Sequence, residues 1–286
     1  MRLPIPIPGF NGVGPGQPAT SSLQVGPKFT YNAIKGTLLK DGVFVALADL
    51  ATDVSEIRVE ADGDVLRRIT PALLLDYLQC KGLTGVLANG AAGGVASFVI
   101  PFADPSRRDV VGEEVTQLGT VGVKQLVLVV VLNDPGGAPV YTLTGEADVS
   151  VDQPKALAVF ERWYIDTFNI INGTASFNTV PTDEDLFGIL FHASTITRVR
   201  VTMDNEVVFD CYKADIESLL RLNGLGLATA NYFPYVQDFS RQVTDRLMTS
   251  KRTDKNVVIA RISDLTIEVT ATAAATIKAL RRTFDY

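Results

Sequence analysis

The chain has 286 residues, of which 47% are hydrophobic and 20% are charged, and its 26 basic and 32 acidic side chains give a net charge of −6. This composition is typical of an ordered protein long enough for two domains, and it excludes a disordered chain. Lys and Arg are not gathered into runs, so we do not expect the phosphate contacts on which nucleic-acid binding depends.

The N-terminal segment, residues 1–19, is rich in proline and glycine and follows neither a helical nor a strand period, so we predict an extended arm. Its stretch GFNGVGPG lacks the Gly-Lys-Ser/Thr ending of a phosphate-binding loop. Prolines interrupt it before an apolar run of signal-peptide length develops, so we expect no secretion signal. The longest apolar run, Leu126–Leu132, is too short to span a bilayer as a helix.

Most later segments predict short β-strands, because apolar and β-branched residues run or alternate between turn formers. The protein is therefore predicted to be mostly β. The strand segments are FVALADL, EIRVEA, GVASFVIPF, VKQLVLVVV, YTLTGEADVS, FERWYIDTFNII, TASFNTV, ITRVRVTM, VVFDCY, NVVIARI and LTIEVTAT.

Two dipeptides, Asp62-Gly63 and Asn172-Gly173, favour two-residue hairpins, because both central positions of a type I′ turn need positive φ. Asn172-Gly173-Thr174 is also a glycosylation sequon, but we interpret it as a turn because no secretion signal accompanies it. Two further segments interrupt the β pattern, PALLLDYLQCKG after Thr70 and KADIESLLRLNG after Tyr212. They predict short helices that end near Gly82 and Gly224.

One block of the sequence occurs twice. The residues from Ile57 to Leu83 match those from Val199 to Leu225 without a gap, which pairs Arg with Arg, Asp with Asp and Gly with Gly. Each residue of the first block is separated from its match in the second by the same number of residues as Ile57 is from Val199. This separation is called the hairpin spacing, and at this spacing Asp204-Asn205 takes the place of Asp62-Gly63. Matched polar and glycine residues at constant spacing indicate a duplication rather than shared hydrophobic patterning.

Later blocks continue the repeat at other spacings. Pro101-Phe102 matches Pro234-Tyr235 at a separation shorter than the hairpin spacing. VKQLVLVVV matches ISDLTIEVT at a separation between these two values. Loop insertions produce such changes of spacing. We therefore predict two tandem β domains, residues 20–153 and residues 154–286, with a boundary near VDQPKA.

The two cysteines, Cys80 and Cys211, lie far apart in the sequence and form no Cys-x-x-Cys motif. A zinc site or a disulfide framework is therefore not expected. We interpret both as buried apolar thiols in a reducing compartment.

The chain resembles a family of viral coat proteins in four places: IPGFNGVGPGQPATSSLQVGPKFTY, EIRVEADGDVLRRI, GVASFVIPF with RRDVVGEEVTQLGT, and ITRVRVTMDNEVVFD with ADIESL. These blocks resemble, in the same order, the coat proteins of corticovirus-like, membrane-containing bacteriophages, which are double jelly-roll major capsid proteins. The resemblance implies two tandem eight-stranded jelly rolls with short helices in loops. It also implies trimers of six-sided outline that tile an icosahedral shell around an internal membrane.

The same resemblance implies where the protein acts and what it contacts. It would be made in the host cytoplasm and located in the virion capsid, in a homotrimer that contacts neighbouring trimers. Penton and membrane-associated virion proteins are further expected partners, with peripheral contact to the internal membrane and no direct contact with nucleic acid. In the arm, Ile5, Ile7 and Phe10 are expected to order against a partner.

The main competing class, a hydrolase, has little support. His192 is the one histidine, flanked by apolar residues, and we interpret it as packed or structural. Neither Gly-x-Ser-x-Gly nor His-Glu-x-x-His occurs, so we predict no enzyme and assign no catalytic residue. A glycosidase with a carboxylate pair stays open, because the sequence does not show which acids converge.

Several acidic residues carry oxygen ligands of the kind that calcium uses: Asp183, Glu184 and Asp185, with Asp152 and Glu113-Glu114 as interface alternatives. None has the spacing of a dedicated calcium loop, and a solvated acidic loop is the favoured interpretation. No metal-binding or cofactor-binding residue is therefore assigned, and a structural calcium ion stays open.

A second alternative is a carbohydrate-binding or receptor-binding virion protein, because jelly rolls also serve as lectins. Trp163, Tyr232, Phe233 and Tyr235 would then form a platform on which a sugar stacks. Trp163 alternates like a core residue, however, and interdomain packing explains it more economically.

Overall fold

The computed structural model describes residues 2–83, 96–104, 114–151, 153–157, 160–182, 184–222, 231–236, 250–252 and 258–285. Contacts divide the chain into two units, Met1–Leu75 with Leu83–Trp163, and Asp76–Gly82 with Tyr164–Tyr286. The predicted domain boundary between residues 153 and 154 lies before this division and stays a prediction. Of the helices that the described residues form, none combines the length and apolar character that a bilayer-spanning helix requires.

The first unit is built on two groups of paired strands. In one, β1, β10 and β3 pair in that order, and β4, β7 and β8 also pair with β3; the other has the order β6-β5-β9-β2. The elements are β1 (Arg2–Pro6), β2 (Pro18–Leu23), β3 (Thr30–Lys40), β4 (Val43–Phe44), α1 (Leu50–Asp53), β5 (Val54–Ala61), β6 (Asp64–Ile69), α2 (Pro71–Cys80, shared with the second unit), β7 (Phe98–Pro101), β8 (Leu118–Gly119), β9 (Leu126–Leu132) and β10 (Tyr141–Ser150).

The second unit repeats this plan, with strand orders β16-β13-β20-β11 and β12-β19-β14-β15 and a separate pair of β17 with β18. Its elements are β11 (Phe160–Ile170, which begins in the first unit), β12 (Gly173–Phe177), β13 (Asp185–Phe191), β14 (Ile196–Met203), β15 (Glu206–Tyr212), α3 (Lys213–Leu222), β16 (Phe233–Val236), β17 (Ser250–Arg252), β18 (Val258–Arg261), β19 (Leu265–Ala271) and β20 (Ala275–Asp285).

The core of the second unit lies between its two sheets. Alternate residues of β19 are buried, as a strand with one face toward the core requires. They join buried residues from both sheets in one apolar cluster, which includes Ile189, Phe191, Val199, Val201, Ile267, Val269 and Ala279. The unit is thus a two-layer β-sandwich closed by apolar burial.

Eight strands of each unit follow the same path. The order β1-β10-β3-β7 in the first unit corresponds to β11-β20-β13-β16 in the second, and β2-β9-β5-β6 corresponds to β12-β19-β14-β15. Two four-stranded sheets whose neighbours are distant in sequence form the arrangement of an eight-stranded jelly roll. The predicted order of strand, turn, strand and helix in each copy is confirmed.

The repeat extends to individual cross-strand pairs of the duplicated hairpin. Ile57 opposes Ile69 in the first unit, and Val199 opposes Cys211 at the hairpin spacing in the second. The pairing is interrupted once in each hairpin, at a bulge that follows Val59 in one unit and the equivalent residue, Val201, in the other. The hairpins therefore share both their register and their irregularity.

The third strand of each sheet continues the correspondence. Leu128 of β9 opposes Val59, and its match in the later block, Ile267 of β19, opposes Val201. Blocks that match at two different spacings thus meet in the same register in both units. The predicted duplication is confirmed at both spacings.

The hairpin turns at the two equivalent positions have the predicted conformation. Asp62 and Gly63 have φ values of 51° and 91°, and Asp204 and Asn205 have values of 47° and 69°. Positive φ at both central residues is the mark of a type I′ turn, in which Asp, Asn and Gly are favoured. The sequence therefore identified both turns correctly.

Each of these turns is tied to a third strand by its Asp. The Oδ1 atom of Asp62 accepts hydrogen bonds from the backbone N–H groups of Lys124 (2.9 Å) and Gln125 (2.8 Å). The Oδ1 atom of Asp204 accepts the corresponding bonds from Ser263 (2.8 Å) and Asp264 (3.0 Å). One carboxylate oxygen thus links each hairpin to the segment that leads into β9 or β19.

An ion pair also recurs at the end of each hairpin that lies away from its turn, with its charges exchanged. In the first unit, Arg68 Nε lies 2.7 Å from a carboxylate oxygen of Glu56. At the equivalent positions of the second unit, Arg198 Nε lies 2.7 Å from a carboxylate oxygen of Asp210. The basic residue is on the second strand of the hairpin in one unit and on the first strand in the other.

The prediction of a hairpin at Asn172-Gly173 is wrong. Gly173 has a φ of 113° and begins β12, but β12 pairs with β19. The preceding strand, β11, pairs in the other group of strands, so the dipeptide lies where the chain passes from one sheet to the other. A favourable turn dipeptide does not show whether the following strand stays in the same sheet, because that depends on non-local pairing.

The predicted helices form at α2 and α3. Gly82 follows α2 with a φ of 69°, the left-handed conformation that ends many helices. The second predicted stop, Gly224, lies outside the described residues. Both helices follow directly on the second strand of the duplicated hairpin, so the helix position is part of the repeat.

Residues of the predicted N-terminal arm pack on the first unit. Strand β1 pairs antiparallel with β10, and Ile5 opposes Ala147. The N–H of Ile7 donates to the carbonyl of Gly145 (3.1 Å), where a β-carbon would clash with the Ile7 side chain. Leu3, Ile5 and Ile7 are half-buried in this position. The arm is thus ordered within the chain, and its contact with a partner stays a prediction.

We predict that Asp62→Ala and Asp204→Ala each lower the melting temperature by roughly 2–4 °C, because each removes the acceptor of two backbone amides. The Asn variants keep an oxygen acceptor and tolerate positive φ, so their loss should be smaller. Circular dichroism melts of the four variants measure both effects. Ala variants that melt at the wild-type temperature would contradict the role of these side chains.

Candidate functional site

His192 follows β13 and forms an ion pair with a buried carboxylate. Its Nδ1 atom lies 2.6 Å from Oδ2 of Asp76, and the His side chain is 42% exposed whereas that of Asp76 is 3% exposed. The hydrogen bond to Asp76 raises the pKa of His192 above 6.5, although partial burial acts in the opposite direction. The expectation of a structural histidine agrees with this pairing, but the side chain is less packed than its apolar neighbours in the sequence predict.

The acidic residues considered for calcium have other contacts where the structure describes them. Glu184 accepts hydrogen bonds from the hydroxyls of Tyr164 (2.8 Å) and Thr283, and Asp185 is buried in β13. Glu114 lies 3.5 Å from Arg2. The other candidates, Asp152, Asp183 and Glu113, lie outside the described residues. Within the described ranges, no three His, Cys, Asp or Glu side chains form a group that could hold a metal ion.

The aromatic residues of the proposed sugar platform are buried. Trp163, Tyr232, Phe233 and Tyr235 are each 0% exposed. Stacking on a sugar requires an accessible ring face. These residues therefore pack the protein interior, and the carbohydrate-binding alternative loses the feature that suggested it.

The cysteines differ in their environment. Cys80 is buried at the end of α2, as predicted, whereas Cys211 in β15 is only partly buried. Burial raises the pKa of the Cys211 thiol, and the nearby carboxylates of Asp215 and Asp210 act in the same direction. A raised pKa keeps the thiol protonated and poorly nucleophilic. Cys211 is therefore not suited to nucleophilic catalysis, and the burial of Cys80 agrees with a packing role.

A buried arginine in β6 packs between aromatic rings, an arrangement that the sequence did not predict. Arg67 is 2% exposed, and its guanidinium lies over the rings of Trp163 (4.1 Å) and Phe102 (4.7 Å). It also donates a hydrogen bond to the carbonyl of Pro101. Buried cation–π contacts of this kind are stabilising because the ring faces replace lost water.

The equivalent positions in the second unit carry no charge. Phe209 corresponds to Arg67 at the hairpin spacing, and Tyr235 corresponds to Phe102 in the match of Pro101-Phe102 with Pro234-Tyr235. The rings of Phe209 and Tyr235 meet edge to face with centroids 4.8 Å apart. The substitution of Arg by Phe within a matched block was the one sequence signal that could have shown this position to be buried.

The segment around the predicted domain boundary is fixed to the first unit. The carbonyl of Gln153 accepts a hydrogen bond from Thr30 (2.7 Å), and Lys155 Nζ donates to the carbonyl of Glu114 (3.0 Å). Burial lowers the pKa of Lys155 to about 8. A β-carbon at Gly119 would clash with the backbone at Lys155, so only glycine allows this close approach.

The described residues thus form paired strands, a packed interior and an arm that covers the edge strand β10. Among them, no group of catalytic side chains comes together. Two family models match the chain, the viral coat protein P2 N-terminal domain at residues 4–150 and the viral coat protein P2 C-terminal domain at residues 164–285. The chain belongs to the viral coat protein P2 family. The resemblance seen in the sequence is confirmed, and the two matched domains correspond to the two copies of the repeat.

Solved structures show the same fold as this coat protein. The major capsid protein P2 of bacteriophage PM2 matches with a TM-score of 0.79 and 18% identity over 100% of this chain and 97% of its own. The MCP of STIV matches with a TM-score of 0.70 and 7% identity, at 100% and 97% coverage. The Faustovirus major capsid protein matches with a TM-score of 0.63 and 8% identity, at 100% and 90% coverage. A search of curated proteins finds no match.

Membership of the P2 family establishes the class of function. The protein is a structural coat protein and not an enzyme, and its place is the virion capsid. The predicted double jelly roll is confirmed by the strand order and by the structural neighbours. A coat protein acts by associating with copies of itself, so its functional sites are surfaces rather than a catalytic cleft.

We predict that Arg67→Ala lowers the free energy of unfolding by roughly 3–5 kcal/mol, since it leaves a cavity and a buried carbonyl without its donor. Arg67→Lys keeps the charge but loses the planar group between the two rings, and should cost less than the Ala variant. Urea denaturation measures both. A matched control is Arg68→Ala in the same strand, where the side chain is 50% exposed and the loss should stay under about 1 kcal/mol.

We predict that His192 titrates above pH 6.5 and that Asp76→Asn returns its pKa toward the ordinary value. The stability that the pair adds is fully present below pH 6.5 and is lost as the pH rises through the raised pKa. Imidazole NMR signals of untagged protein report this directly, because the chain has one histidine. The melting temperature of His192→Gln relative to wild type, followed from low to high pH across this range, gives the matching stability profile. A His192 pKa at or below 6.5 would contradict the pairing.

Proposed function

We propose that this coat protein is the major capsid protein of a bacteriophage, and that three copies form a trimer of six-sided outline. In the proposed virion, these trimers tile an icosahedral shell around an internal membrane. The observation that carries the proposal is the duplicated jelly roll, whose strand pairs recur residue by residue in the two units. The family membership of both halves agrees with it.

Duplication suits a shell for a geometric reason. A head-to-tail contact between subunits closes into a ring when its rotation permits. Three chains that each carry two similar units place six similar units around that ring, and six-sided tiles pack without gaps. Each unit has the same strand order, which supports this arrangement.

The proposed partners follow from the same assembly. Neighbouring copies are the main partners, and penton and membrane-associated virion proteins would complete the shell. Contact with the internal membrane would be peripheral, and contact with the enclosed nucleic acid would not be direct. The net charge of −6 supports the last point, because phosphate binding needs an excess of basic side chains.

The mass of the purified protein tests the trimer. Light scattering coupled to size exclusion should give three times the monomer mass of 30.8 kDa, and negative-stain images should show particles of six-sided outline. The trimer should persist on dilution to micromolar concentration. A stable monomer across that range, or a ring of another order, would overturn the proposed assembly while leaving the family assignment intact.

A further inference from the structure

The second unit exposes three large apolar side chains at the end of the duplicated hairpin and along the helix that follows it. Tyr212 is 56% exposed, Leu219 is 37% exposed and Leu222 is 81% exposed. Leu219 and Leu222 lie three residues apart in α3, so they share one helix face, and Tyr212 directly precedes this helix. These three residues are called the β15–α3 surface. Exposed apolar side chains that share one helix face are candidates for an interaction site.

The same positions of the first copy of the repeat are covered. At the hairpin spacing, the counterparts of the β15–α3 surface are Thr70, Tyr77 and Cys80, which are 8%, 3% and 4% exposed. Thus each exposed residue of the surface has a buried equivalent. The repeat therefore contains two versions of one helix, and only one of them has its outer face buried.

The inner faces of the two helices do not differ in this way. Leu74 and Leu78 of α2 are 0% and 1% exposed, and their counterparts Ile216 and Leu220 of α3 are both 0% exposed. Both helices are thus packed equally on their inner side. The difference is confined to the outer face, so it is not a consequence of poorer packing of α3.

The cover of α2 is a protein surface. The contacts of Asp76–Gly82 group this part of α2 with residues 164–286, and the guanidinium of Arg282 lies 5.2 Å from the ring of Tyr77. A residue of a jelly-roll strand, β20, therefore lies against the buried outer face of α2. Among the described residues, α3 has no corresponding cover, as the exposure of Leu222 shows.

The charges around the surface favour a protein over a phosphate-bearing partner. Helix α3 carries Lys213 and Arg221 but also Asp215 and Glu217, so basic and acidic residues balance. Anionic lipid and nucleic acid attract surfaces with an excess of basic residues. Since a coat protein associates with its own copies, a second copy of this chain is the partner that fits.

We propose that the β15–α3 surface binds a second copy of this chain, which covers the outer face of α3 as the outer face of α2 is covered in each chain. The proposal rests on the trimer described under Proposed function and identifies the residues that hold it. In a closed ring of three copies, every hairpin-and-helix segment would then have a jelly-roll neighbour.

The double variant Leu219→Glu/Leu222→Glu tests the surface. Burying two carboxylates against a partner is strongly unfavourable, so the apparent dissociation constant of the assembly should rise roughly 100-fold or more. Light scattering over a dilution series measures the rise, and circular dichroism melts show whether the monomer stays folded. Ile171→Glu is the matched control, because Ile171 is 53% exposed in the second unit but outside the surface, and it should assemble as wild type.

The outcomes separate this proposal from the trimer itself. A monomeric wild-type protein overturns the proposed assembly. If the wild-type protein is a trimer and the double variant dissociates at the same concentration as wild type, only the assignment of the surface is overturned. Should the double variant fail to fold, a photo-crosslinking residue at Tyr212 decides, with the same residue at Ile171 as control. Crosslinks between copies from residue 212 and not from residue 171 support the surface, and their absence from residue 212 in assembled protein contradicts it.

Discussion

The register of the paired strands is the constraint on which both units depend, because it decides which side chains are buried. Because side chains alternate between the two faces of a strand, a slip of one residue would turn the apolar face of β5 or β14 toward water. The first Asp of each turn opposes that slip by accepting hydrogen bonds from two backbone N–H groups in the segment that leads into β9 or β19. The buried residues of β9 and β19 reach the core only in this register.

Features of the fold that depend on local chemistry could be predicted from the sequence. A type I′ turn needs residues that tolerate positive φ, so Asp62-Gly63 and Asp204-Asn205 revealed the hairpins and their common origin. Asn172-Gly173 carries the same local signal, but the partner of the strand that follows it lies far along the chain, in β19. That pairing is non-local, so a dipeptide at the turn does not predict it.

Burial of polar residues was the other limit of sequence-based prediction. In the sequence Arg67 resembles any charged residue of a strand, yet it lies buried between two aromatic rings. The carbohydrate-binding alternative lost its support for a similar reason, because Trp163 and Tyr235 are buried. In the second unit Phe209 and Tyr235 occupy the corresponding positions. The backbone of the jelly roll thus tolerates either a cation–π contact or an aromatic pair, which agrees with a fold shared at 18% identity or less.

The exchanged ion pair has a consequence for how the chain folds. Two hairpins of identical register in one chain could trade strands, a common failure of proteins with internal repeats. In the native hairpin Arg68 lies opposite Arg58, and the carboxylate of Glu56 pairs with both arginines. If β14 paired with β6 in the shared register, Arg200 would take the place of Arg58 and Arg198 that of Glu56, so the arginines would lose their carboxylate. Like charges placed in this way destabilise a strand pair. The opposite polarity of the two ion pairs therefore helps β6 to distinguish its own partner from the copy.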